Sequence, residues 1–117
     1  MKIVVKKIAP SAMKARNMSD GHWYVNPLAV EFEEALKEAV GERRVPDEWQ
    51  YYNVTITIDR KSDRGKLACR LKVTLDALNH SGFWKDDRQV AKLTLKYGKL
   101  GRERTTIDVK EAKRKWR

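Results

Sequence analysis

Cysteine and histidine are almost missing from this chain, and each scarcity closes off a class of chemistry. The one cysteine among 117 residues, Cys69, cannot close an internal disulfide, which suits a reducing cytoplasm. The two histidines, His22 and His80, stand far apart and form no zinc-ligand spacing, so each reads as an ordinary surface or turn histidine. No apolar run approaches the length of a membrane span, and no membrane partner is expected. The opening MKIVVKKIAP carries charge, but its apolar stretch is too short and interrupted for a signal peptide. There is no internal repeat.

What the chain has in excess is positive charge. Its 26 Lys and Arg against 16 Asp and Glu give a formal net charge of +10. Such an imbalance favours a polyanion as partner and is the electrostatic footprint of nucleic-acid binding. A basic ribosomal or membrane-surface protein would carry a similar excess, so charge alone decides only the sign of the partner. Hydrophobic residues at 41% are enough to fold, and the length fits one domain with a single core.

The periodicity predicts an α+β domain with a mixed sheet and two main helices. KIVVKKI (2–8) reads as a strand stopped by Pro10. The loop from Ser11 to Gly21 carries Lys14, Arg16 and Asn17, and His22 to Val25 returns as a short strand. Asn26-Pro27 is a helix start, a capping side chain followed by proline at the first helical position. Leu28, Phe32, Ala35, Leu36 and Ala39 would form that helix's apolar face, and Gly41 would end it. Early Glu31, Glu33 and Glu34 with later Lys37 would complement the helix dipole. From Gln50 to Arg60 the chain alternates, with Tyr52, Val54, Ile56 and Ile58 on one side of a half-buried strand.

That strand runs into RKSDRGK, where Arg60, Lys61, Arg64 and Lys66 crowd together. With Arg70 and Lys72 they would neutralise several phosphates and make binding weaken steeply with salt; the plain alternative is a solvated charged loop. A second helix follows, with Leu67, Leu71, Leu75 and Leu78 facing inward and Gly82 as its stop. Phe83 and Trp84 would pin the next turn and so aim Asp86 and Asp87. Two adjacent carboxylates near Lys72 can hold a divalent cation beside a phosphate, or can be a solvated acidic turn. Arg88–Lys96 and 103–109 read as strands joined through YGKLG as a hairpin, with Ala91, Leu93 and Leu95 on the apolar face. Residues 1–109 would then be the domain. Residues 110–117, KEAKRKWR, would be a basic tail, either frayed or extending a DNA surface through Trp116.

The run LDALNHSGFWKDDRQV (75–90) resembles the most recognisable segment of the RusA family of Holliday-junction resolvases. IAPSAMKARN resembles that family's proline-and-asparagine loop after the first strand, a loop that in the family lies near the active site and reaches DNA. The resemblance implies a small homodimeric, magnesium-dependent endonuclease that cuts four-way DNA junctions. In the family a D-x-D-N motif opens the second helix, a lysine follows, and D-D-x-Q-V comes after. Lys72 matches the lysine, and Asp86-Asp87-Arg88-Gln89-Val90 matches the last motif, with Asp87 as the third catalytic aspartate and Asp86 as a further metal ligand. The first motif is replaced by Lys66-Leu67-Ala68-Cys69, which puts a cation and a methyl group at the two remaining aspartate positions.

Three readings follow. The chain binds branched DNA with impaired catalysis, or it is an active resolvase whose metal site is rebuilt with Asp59 or Asp63. The third is a basic non-enzymatic nucleic-acid-binding or structural protein. The first two require the turn bearing Asp87 to sit beside the start of the second helix, in an electropositive groove. The resemblance implies all three aspartates come from one subunit. A two-fold dimer would match junction symmetry, with the N-terminal strand and Trp49 as candidates for its interface.

Overall fold

The computed structural model describes residues 1–10, 14–16, 23–61 and 67–112, with 14–16, 23–24, 67–69 and 87 described by backbone alone. The chain forms β1 (Lys2–Val5), β2 (Lys14–Arg16), β3 (Trp23–Val25), α1 (Pro27–Val40), β4 (Tyr52–Arg60), α2 (Leu67–His80), a single 3-10 turn (Asp87–Gln89), β5 (Val90–Leu100) and β6 (Arg104–Glu111). Four strands make one mixed sheet in the order β1-β6-β4-β5, and β2 pairs with β3 in a separate two-stranded ribbon. The architecture is therefore α+β, with a mixed sheet and two helices.

β4 is central because its alternation buries one whole side. Tyr52, Val54, Ile56 and Ile58 are all buried, as expected for a strand half covered by helices. It pairs antiparallel with β6 and parallel with β5. The expected hairpin between the last two strands is therefore not made. β5 and β6 lie on opposite flanks of β4, and Gly101-Arg102-Glu103 passes over the end of β4, where the Gly101 amide donates to the Arg60 carbonyl. Parallel pairing of β4 and β5 requires a crossover, and α2 supplies it.

The first helix is capped as read. Asn26 accepts a hydrogen bond from the Leu28 amide at 3.0 Å, and Gly41 closes the other end at a φ of 59°. Its buried face differs by one position from the expected one. Ala29, Phe32, Leu36 and Val40 are buried, while Leu28 is 58% exposed. Its first turn holds no acidic residue, so Glu31, Glu33 and Glu34 come too late to offset the dipole. α2 is rotated likewise. Val73, Thr74, Ala77 and Leu78 are buried, and Leu71 and Leu75 only flank the core. Thr74 is accommodated because its hydroxyl donates to the Arg70 carbonyl at 2.9 Å.

Other expectations shift for local reasons. β1 stops at Val5 because the chain bends at Lys6-Lys7. The loop after it contains β2, which pairs with β3. β5 is an edge strand with no buried residue: Leu93 is exposed and Leu95 only packs against the core. β6 runs on through Lys110 and Glu111, which pair with Asn53 and Tyr52, so the strand takes in the first two residues read as tail.

Candidate functional site

The β4–α2–β5 crossover has two ends, and the residues singled out in the sequence divide between them. At the end where β4 finishes, Asp59 is buried, only 6% exposed, although the alternation would leave it outside. Its Oδ1 accepts from the Lys99 amide at 2.8 Å and its Oδ2 from Arg102 Nε at 2.8 Å. The Lys99 hydrogen bond, with Arg102 adding to it against the cost of burial, holds the Asp59 carboxyl below the usual carboxylate range. Room for that carboxylate exists only because residue 98 is glycine: a Cβ there would overlap Asp59 Oδ1 and come within 2.9 Å of Thr57 Cγ2. Asp59 thus pins the β5–β6 crossing to β4. It serves as a structural anchor, held by the Lys99 amide and Arg102, and Asp63, the other residue named for a rebuilt metal site, lies outside the described residues.

The same end gathers cations. The Arg60 guanidinium lies 3.4 Å over the Tyr97 ring centroid. Lys61, Lys99 and Arg102 are exposed, with Arg104 beside them opposite Asp59 in the ladder. Arg70, near the start of α2, donates to the Ala9 carbonyl at 2.6 Å and shares a cleft with Lys7 and Glu103. Lys99, Arg102 and Arg104 escaped the sequence reading. Only the strand order brings them to the end of β4, and a reading that made β5 and β6 a hairpin hid it. Lys14 and Arg16 sit in β2 by backbone, Ala68 in the first turn of α2 by backbone, and Lys72 is exposed on α2. Asn17, Arg64 and Lys66 lie outside the described residues.

The opposite end carries the aromatic and acidic turn. α2 ends at His80, and Gly82 takes a φ of 75°, the left-handed stop expected there. Phe83 and Trp84 are buried, so the turn is pinned as read. Trp84 stacks on Tyr52 with centroids 5.9 Å apart and planes 7° from parallel, and its Nε1 donates to Asn79 Oδ1 at 2.6 Å. Asp86 then immediately precedes the 3-10 turn. Its Oδ1 accepts from the Arg88 amide at 2.9 Å, and its Oδ2 lies 2.8 Å from the Arg88 guanidinium. The carboxylate offered as a metal ligand is therefore already compensated by its neighbour's cation. Asp87 is placed here by its backbone, and Gln89 donates from Nε2 to the Gln50 carbonyl at 3.1 Å.

Topology settles how these groups stand to one another. Val90 pairs with Tyr52 at the start of β4, while Arg60 pairs with Leu100 at its end. α2 has 14 residues, so roughly 20 Å of helix separates its first turn from the acidic turn. The expectation that Asp87 sits beside the start of α2 is not met within one subunit. By backbone, Ala68 lies at the basic end and Asp86 and Asp87 at the other, while Lys66 is outside the described residues. Among the described residues no three of His, Cys, Asp and Glu converge as metal ligands. Asp86 is paired with Arg88, and the sequence carries an ammonium and a methyl group, Lys66 and Ala68, at the two remaining motif positions, which offer no ligand to a magnesium ion.

The family model described as Endodeoxyribonuclease RusA matches residues 5–110, nearly the whole chain. No curated protein matches it. Among the described residues, no helix is long and apolar enough to cross a membrane.

Proposed function

The chain belongs to the RusA family of endodeoxyribonucleases, and on that premise we propose that it binds four-way DNA junctions as a homodimer, with the family's metal-dependent cut impaired. The family acts on branched DNA and is generally divalent-metal dependent, so a Holliday-junction resolvase-like role is the frame. The observation that carries the impairment is the split of the motif. Lys66 and Ala68 cannot replace carboxylates, and Ala68 stands in the first turn of α2, far from the turn that bears Asp86 and Asp87.

Two-fold pairing of subunits answers the geometry. If all motif positions act on one phosphate, the start of α2 from one subunit must approach the acidic turn of the other. That differs from three aspartates supplied by a single subunit. The basic end, with Lys61, Lys99 and Arg102 exposed around Arg60, supplies phosphate contacts. Arg64, Lys66, Lys14, Arg16 and Asn17 are further candidates for phosphate contact, as is the basic stretch of sequence beyond Glu111. Lys72 is exposed midway between the ends and is assigned to phosphate rather than to a metal-assisted step. A reducing cytoplasm suits the single cysteine.

A gel shift comparing a four-way junction with a linear duplex of equal length tests this, run beside a cleavage assay in magnesium and in manganese. The proposal expects preference for the junction and intact strands. Equal binding to both DNAs would favour a basic protein with no branch recognition, and efficient nicking would restore the active-resolvase reading with Asp63.

A further inference from the structure

The main sheet has two sides, and the helices cover only one. The inward residues of β1, β4 and β6, such as Ile3, Ile56 and Ile107, share one core with Phe32 of α1 and Leu78 of α2. Successive side chains of a strand point to opposite faces, so the residues between them face away from the helices. The register places Lys2 of β1, Lys110 of β6, and Lys92 and Lys96 of β5 on that outer face. Lys2 pairs with Asp108, Lys110 and Lys92 flank Asn53 from either side, and Lys96 pairs with Thr57. Each of these lysines is exposed. Between them lie Thr55, Thr57, Thr94 and Thr106, half-buried by their neighbours in the sheet.

Charge is therefore divided by layer. On the helix side α1 turns Glu31, Glu34 and Glu38 to solvent against Lys37. On the outer face the carboxylates are Asp59, already held by the Lys99 amide and Arg102, and the half-buried Asp108. The outer lysines are also spread rather than clustered. Lys92 and Lys96 stand about 13 Å apart along β5, and Lys92 and Lys110 about 10 Å apart across β4. A duplex carries its phosphates on the rims of grooves about 6 and 12 Å wide, so spaced cations suit it better than they suit a single phosphate.

We propose that this outer face is a second DNA surface, carrying the sugar-phosphate backbone of one duplex arm; that the arm belongs to a junction rests on the reading above. The ammonium groups neutralise phosphates, the threonine hydroxyls donate to phosphate oxygens, and no base is read. From the row of Asp59 and Arg104 to the row of Asn53 and Lys110 the face runs about 20 Å, the length of about six base pairs. Arg104 joins it to the basic end, so an arm passes from that end onto the face without a break in positive charge. A protein partner would need an apolar centre, and among these outward positions Val4 is the one exposed large hydrophobic residue. A second copy of the chain would set lysine against lysine.

Fluorescence anisotropy of a labelled junction over a series of salt concentrations tests this. Lys92→Ala combined with Lys96→Ala should weaken binding about tenfold and lower the salt slope by about two. Lys37→Ala combined with Arg44→Ala removes the same charge from α1 and the loop after it, and should change affinity by less than about twofold. Equal losses by the two pairs would reduce the effect to bulk charge and overturn the proposal. Unchanged binding by the first pair would overturn it too, and would leave an acidic protein as the partner of the face. Should the first pair fail to fold, Lys2→Ala combined with Lys110→Ala takes its place with the same expected loss. If wild type shows no preference for a junction over a linear duplex, the proposed function fails separately. The face is then judged on the linear duplex, where the first pair should still lower affinity and salt slope; binding equal to wild type there refutes it.

Discussion

The two ends of the β4–α2–β5 crossover are built by opposite means. The basic end is organised by one buried carboxylate, Asp59, which grips the Lys99 amide and Arg102 while the surrounding cations stay in solvent. The other end is organised by ring packing, Trp84 on Tyr52 with Phe83 beneath, and its charged residues sit outside that packing. The contrast teaches that surface charge can change at either end without unfolding the sheet.

Five substitutions sharpen that comparison. Trp84→Ala should have the largest effect, about 3–5 kcal/mol of stability by chemical denaturation, since it removes the stack and leaves a cavity. Gly98→Ala comes next at about 2 kcal/mol, because the new methyl must displace the Asp59 carboxylate from the Lys99 amide. If both ends tolerated these changes equally, the distinction between charge anchoring and ring packing would fail. Asp59→Asn should cost less, about 1–2 kcal/mol, and should change the acid limb of stability. Because the folded carboxyl titrates below its unfolded value, its contribution is present above about pH 4 and is lost as pH falls through the folded value. Asp59→Asn should flatten that decline in melting temperature; an unchanged acid limb would show that Asp59 is not the anchor. The smallest effect belongs to Lys61→Ala and Lys99→Ala, each lowering junction affinity a few-fold and the salt slope by about one.

Much of the scaffold was legible from residue order. The Asn26-Pro27 start, the Gly41 and Gly82 stops and the alternation through Ile58 carry local signals that tertiary contacts only reinforce. Helix faces were misjudged by about one position. Of the leucines that the spacing suggested, Leu78 is buried and Leu71 and Leu75 flank the core, the Leu67 side chain being outside the described residues, but α2 also touches α1 and the sheet, and this draws Val73 and Ala77 inward as well. The hairpin reading failed because YGKLG looks like a turn, while Gly98 is a strand residue kept small for the carboxylate of Asp59, far earlier in the chain, a contact no local pattern announces. The motif residues were recognised as a set, yet their separation was not. Sequence proximity to α2 says nothing about which end of it a following turn occupies until the parallel pairing of β4 and β5 is known.

The most direct measurement is magnesium-dependent cleavage of a labelled four-way junction by wild type and by the double variant Lys66→Asp, Ala68→Asp. The account predicts that wild type binds the junction and leaves its strands whole, and that restoring the two carboxylates brings symmetrical nicks. Nicking by wild type at a rate matching the double variant would contradict it.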